Sequence, residues 1–185
     1  MPRSNKTEFA VLGLLSIQPM SGYDMRKFVA YSLSFFWQES YGQLYPTLRR
    51  LLARRLVSRS VEPAKGKPDR HVYRLTAAGR KRLASWLSED AKPESVRIEL
   101  LLKLFFGTSG QPPRQIEQLD VFLLGQKEKL ARLDRVASEK LKPYEGTPDY
   151  PYWFATLRYG VLLTQARIVW GEETLNRLRS AARKG

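Results

Sequence analysis

Residues 42–76 read GQLYPTLRRLLARRLVSRSVEPAKGKPDRHVYRLT, and the periodicity of their apolar positions changes partway along. Leu44, Leu48 and Leu51 recur at spacings of four and three, with Leu52 and Arg55 beside them. That spacing predicts a helix beginning near Gly42 with an apolar core stripe. Its opposite side carries Pro46, Arg49 and Arg50, with Gln43 at the edge. An apolar inner face backed by a basic outer face suits a helix that enters a groove. Beyond Arg55 the period falls to two. Val57, Arg59 and Val61 alternate with Ser58, Ser60 and Glu62, and a Gly/Pro-rich loop from Pro63 to Arg70 leads to a second short strand, His71–Leu75. Two such runs around a loop predict a β-hairpin with a cationic tip.

Outward from this stretch the elements are helical. Phe9 to Leu15 is an apolar run within a short helix over 7–18, stopped by Pro19. Arg3 and Lys6 ahead of it imitate a signal peptide, but no small-x-small cleavage site follows, so a buried first helix is expected. Ser21 is placed to cap a second helix from Tyr23 to about Tyr31, and Thr76 to cap a fourth containing Leu83, Trp86 and Leu87. A break near residue 90 divides the chain into residues 1–90 and 91–185.

In the second half, helices are predicted over about 93–106 and 114–141. The longer carries a seam of Ile116, Leu119, Leu123, Gln126, Leu130, Leu133 and Ala137, with Gln126 its polar member. After a loop from Pro143 to Pro148, the last helix repeats the pattern through Phe154, Leu157, Val161, Thr164, Ile168, Gly171, Leu175, Leu178 and Ala182. A second apolar stripe on that helix includes Trp153, Leu162, Leu163, Val169 and Trp170. Two stripes on one helix require two neighbours, and a second protomer is expected to supply one of them.

The formal charge of the 185-residue chain is +14, which argues for a polyanionic partner. The excess is concentrated in residues 1–90, where 16 basic residues face 7 acidic ones. With no Cys and one His, a Cys-His zinc site, a disulfide framework and a thiol nucleophile are excluded, and a reducing cytoplasm is compatible. His71 beside Asp69 has no nucleophile elbow or oxyanion loop near it. Asp24 and the Glu172-Glu173 pair lack a metal-ligand spacing. No P-loop or GxGxxG occurs, so no enzyme activity is expected.

Three helices followed by a hairpin give the winged helix-turn-helix order, in which a helix fits the major groove and a cationic wing follows the phosphates. Leu12-Gly13-Leu14-Leu15, Ser21-Gly22-Tyr23-Asp24, Gly42 through Leu51, Leu56-Val57 and Tyr73-Leu75-Thr76-Gly79 together resemble the PadR family of transcriptional regulators. The resemblance covers roughly residues 8–88, and the C-terminal half is similar to the family's larger subtype. It implies a mainly α fold with a small β-hairpin: a winged helix-turn-helix domain plus a C-terminal helical dimerisation domain. It also implies a homodimeric repressor or activator on an inverted repeat of double-stranded DNA, often released by a small molecule. By position, Gln43, Tyr45, Pro46, Thr47, Arg49 and Arg50 fall in the recognition-helix motif, and Lys65, Lys67 and Arg70 in the wing. Arg49 and Arg50 suit either guanine edges or phosphates, and Tyr45 suits either DNA contact or partial packing.

An aromatic group (Tyr144, Tyr150, Tyr152, Trp153, Phe154 and Tyr159) crowds the start of the last helix. Core packing accounts for most such groups; the other reading is a pocket for a planar aromatic effector built on Trp153, Tyr150 and Phe154. Phe35, Phe36 and Trp37 are expected to anchor one domain on the other. Two further readings of the whole chain stand beside operator binding. One is a winged-helix module for RNA or another protein. The other is attachment to an anionic membrane surface, against which the helix-partnering pattern of the apolar faces speaks.

Overall fold

The computed structural model describes residues 6–33, 36–37, 41–63, 70–93 and 96–183. By contacts the chain divides into two compact units, Met1–Pro93 and Glu94–Gly185.

The first unit begins with α1 (Lys6–Ile17), whose Phe9, Val11, Leu12, Leu14 and Leu15 are buried. Pro19 ends it, and Met20–Ser21 form a two-residue strand, β1, before α2 (Gly22–Ser32). Ser21 is the N-cap of α2 in a complete capping box with Asp24. A 3-10 turn over Tyr41–Gln43 enters α3 (Leu44–Ala53). The hairpin follows as β2 (Val57–Glu62) and β3 (Arg70–Leu75), and Thr76 caps α4 (Ala77–Leu87), its side chain accepting from the Gly79 N–H. The sheet is three-stranded and antiparallel, in the order β1-β3-β2. β1 is too short to leave a period in the sequence; its partner β3 selects it, pairing Met20 with Tyr73 and Ser21 with Val72.

One apolar core unites these elements. Leu12, Met25, Leu48 and Leu51 are fully buried in it, Leu44 packs at its margin, and Phe9 stacks on Trp86 at 4.5 Å between ring centroids. The alternation expected of β2 stops early. Val57 is buried but Val61 is exposed, because the hairpin runs out past the core. Leu87 is likewise exposed, at the end of α4.

The second unit contains α5 (Glu99–Phe105), α6 (Pro112–Arg135) and α7 (Tyr150–Ala182). A π-helical segment, Val136–Leu141, continues α6. The long helices are antiparallel: Asp120 pairs with Arg179 at 2.8 Å, and Lys127 with Glu172 at 2.7 Å. Leu119, Leu123 and Leu175 are buried together, with Ile116, Phe122, Ile168, Trp170 and Leu178 around them. Gly171 permits the close approach, since a Cβ there would lie 2.7 Å from Leu123 Cδ2. The two principal seams therefore face each other within one chain. Phe154 departs from the predicted seam and is exposed, as are Leu162 and Val169 of the second stripe. Among the described residues no helix is long and apolar enough to cross a membrane.

Candidate nucleic-acid interface

The site is built on α3. Its stripe of Leu48 and Leu51 is buried, which turns Gln43, Tyr45, Arg49 and Arg50 outward. Pro46 is half-buried in the first turn, where its missing N–H would have had no helical partner. Tyr45 is partly packed and leaves the rest of its ring outward. It is 55% exposed, yet its ring lies against the start of α2, where a Cβ on Gly22 would stand 2.8 Å from Tyr45 Cε1. Gly22 thus gives the ring room to settle.

Thr47 behaves differently from its neighbours in the motif. It is 1% exposed, and its Oγ1 accepts a hydrogen bond from Arg50 Nη2 at 2.8 Å. Helical geometry puts Thr47 between Leu44 and Leu51, on the flank of the core stripe, so it steers Arg50 instead of reaching outward itself.

The end of α3 is held from two sides. Arg55 adopts the left-handed conformation (φ 56°), the Arg55 N–H donates to Leu52 O and the Leu56 N–H to Leu51 O. Those two bonds make a Schellman turn, with arginine where glycine is usual. Glu8 of α1, with its side chain only 12% exposed, accepts from Arg54 Nη1 at 2.7 Å and from Arg82 Nε at 3.4 Å. Arg82 also lies over the Phe9 ring at 4.8 Å. Glu8 had no motif to signal it; only the fold brings its partners, 46 and 74 residues away, to one place.

In the hairpin, Lys65 and Lys67 lie outside the described residues. Arg70 opens β3 and forms an ion pair with Asp24 of α2. Burial raises the Asp24 carboxyl's pKa, but the bonds from Ser21 and the Arg70 guanidinium outweigh it and hold the group below its ordinary value. His71 is exposed on β3 opposite Val61. Glu172 is engaged by Lys127, and among the described residues no three His, Asp or Glu side chains gather as a metal site.

In the second unit the predicted effector residues form two ring pairs. Trp153 meets Tyr144 edge-on at 5.0 Å, and Phe154 stacks with Tyr150 at 5.9 Å. Trp153 and Tyr150 are half-buried. Trp37 has the Lys6 ammonium 5.8 Å from its ring, and Phe35 lies outside the described residues.

A helix with a buried apolar side and an outward cationic side, entered by a short helix and followed by an antiparallel hairpin, defines the winged helix-turn-helix class of DNA-binding proteins. Residues 11–85 match the model of the transcriptional regulator PadR-like family, and residues 96–179 match that of the virulence activator alpha C-terminal domain. Between them these two matches take in most of the chain, which belongs to the PadR-like family of transcriptional regulators, in the larger subtype with a helical C-terminal region. It is 32% identical over 100 residues to the negative transcriptional regulator PadR of Bacillus subtilis, covering 54% of this chain and 55% of that protein. The chain spans about half the length of the curated relatives it matches. In three dimensions the likeness is longer. The structure of Bacillus subtilis PadR in complex with operator DNA superposes with a TM-score of 0.81 at 26% identity, covering 94% of this chain and 99% of that one. The same protein in complex with p-coumaric acid gives 0.72 at 26% identity, covering 93% and 98%. The Vibrio cholerae virulence activator AphA gives 0.74 at 26% identity, covering 95% and 99%.

Proposed function

We propose that this protein is a cytoplasmic, homodimeric repressor that binds an inverted repeat in double-stranded DNA. The observation that carries this reading is the outward row of Gln43, at the N-cap of α3, and Tyr45, Arg49 and Arg50 on the helix itself, whose other side is buried. Arg49 and Arg50, the latter steered by Thr47, meet guanine edges or phosphates, Tyr45 lies beside them, and Lys65 and Lys67 add phosphate contacts from the wing. Pro46 shapes the first turn. The operator complex of the Bacillus subtilis relative supports the choice of duplex DNA over RNA.

The dimer is supported by apolar side chains that the chain leaves outward: Val121 and Leu124 on α6, Leu162 and Val169 on α7, and Phe105 on α5, 82% exposed. A planar aromatic effector at Trp153, Tyr150 and Phe154 is supported by the p-coumaric acid complex of the same relative. Such a ligand alters DNA binding only by favouring one placement of the two winged helices over the other.

Sequencing the fragments retained from a pool of random duplexes tests the reading. An inverted repeat should be enriched, and affinity for it should fall roughly 10³-fold or more between 50 and 200 mM salt. Arg49→Ala and Arg50→Ala should each weaken binding. Retention of single-stranded RNA in preference to any duplex would favour the RNA-binding alternative. Repeating the titration with planar aromatic carboxylates, with Trp153→Ala as control, tests the effector: the operator should be released from the wild type and not from the variant.

A further inference from the structure

Asp24 joins three pieces of the winged helix through one oxygen. Its Oδ2 accepts from the Ser21 N–H at 2.9 Å and from Ser21 Oγ at 2.7 Å, and it takes the ion pair with Arg70 Nη2. The Asp24 N–H donates in return to Ser21 Oγ at 3.2 Å. Ser21 belongs to β1 and is in register with Val72 of β3, two residues along from Arg70. The carboxylate therefore ties the start of α2 and the edge strand β1 to the root of the wing.

An isolated ion pair as exposed as this one contributes little. Here the carboxylate is already immobilised by the capping box, so Arg70 closes on a fixed partner and less side-chain entropy is lost. The consequence for nucleic acid is a choice between opposite signs. A carboxylate near a polyanion lowers affinity by simple repulsion, and if Arg70 left Asp24 for a phosphate, Asp24 would be a brake on binding. If the pair persists in the complex, the carboxylate holds the wing in the orientation that meets the duplex, and its loss weakens binding.

We propose that Asp24 is a positioning residue for DNA binding, anchoring the wing to the N-terminus of α2 through Arg70. Arg70 is then engaged within the protein and does not count among the cations that neutralise phosphate. This rests on the DNA-binding reading above.

The test uses the full chain and a duplex retained from the random pool, titrated over a range of salt concentrations. Asp24→Asn keeps a side-chain oxygen for the Ser21 N–H and removes the charge. It should weaken binding about tenfold, a difference of about 1.4 kcal/mol, with the salt slope unchanged. Asp24→Glu, with the acidic residue usual in a capping box, should restore affinity. Arg70→Ala leaves the capping box whole. It should match Asp24→Asn in affinity and slope, and the double variant should be no weaker than either single one. Arg49→Ala should instead flatten the slope by about 0.9 if Arg49 neutralises a phosphate. Should Asp24→Asn fail to fold, Arg70→Ala and Asp24→Glu decide the matter alone. Unchanged or tighter binding by Asp24→Asn, or a flattened slope in Arg70→Ala, overturns the proposal and leaves the DNA-binding reading standing. A wild-type chain that retains no duplex overturns both.

Discussion

Gly79 shows how much one missing methyl group decides. It sits in the first turn of α4, where glycine is ordinarily a poor choice and alanine would be better by about 1 kcal/mol. A Cβ there would stand 2.1 Å from Leu56 O and 2.7 Å from Leu75 Cδ1. The Leu56 carbonyl cannot easily yield, because it accepts from the Thr76 N–H at 3.2 Å and from Thr76 Oγ1 at 2.9 Å. Gly79→Ala should therefore destabilise the winged helix by about 3 kcal/mol, the reverse of its helix propensity. Urea unfolding followed by circular dichroism measures this, and a more stable variant would show that α4 is free to shift. The Thr76 cap was legible in the sequence. The reason for the glycine three residues later was not, since Leu56 reaches it only through the fold.

Among the elements, α3 displays the proposed recognition surface, and α1 and α4 hold its end. Its core stripe could be read from spacing alone, because burial of Leu48 and Leu51 follows from helical periodicity. Its C-terminal anchor is a nearly buried carboxylate on α1 shared by cations from α3 and α4. Glu8→Gln would leave Arg54 and Arg82 facing a neutral amide. Both arginines are substantially exposed and regain water, so the cost should be about 1–2 kcal/mol and not the larger penalty of a fully buried charge. Urea titration of the variant against wild type should show the midpoint falling with the m-value unchanged. A midpoint that stays in place would mean the Schellman turn at Arg55 holds the helix end without Glu8.

At the scale of the whole molecule, the seam between α6 and α7 closes within one chain, which leaves other faces of these helices for the proposed dimer. Leu157 is buried within the chain and Ile168 packs in the core between α6 and α7, so charging them would disrupt a protomer before it tested an interface. Leu162 and Val169 remain outward, 49% and 55% exposed. Leu162→Glu with Val169→Glu should yield a folded monomer by light scattering, because each buried aliphatic side chain adds about 1.5–3 kcal/mol to association. That monomer should bind operator weakly, having lost the second half-site. A double variant that remains dimeric would place the contact elsewhere on the helices.

The sequence by itself determined the helices and the hairpin and most of their inner faces, though not β1 or the exposure of Val61 and Phe154. Local spacing, caps at Ser21 and Thr76, and breaks at Pro19 and the 107–113 stretch act over a few residues and need no partner to be read. It also determined the charge of the outward side of α3, since its cations must face away from the leucines opposite them. Only the tertiary structure decided which apolar seam closes within the chain. The repeats on α6 and α7 are alike in sequence, and it is the antiparallel packing of Leu119, Leu123 and Leu175, with the space at Gly171, that pairs them; the exposed pairs Asp120–Arg179 and Lys127–Glu172 accompany that register. The clamps at Glu8 and Asp24 likewise depend on residues 46 or more positions apart, and contacts at that separation leave no period for a local pattern to reveal.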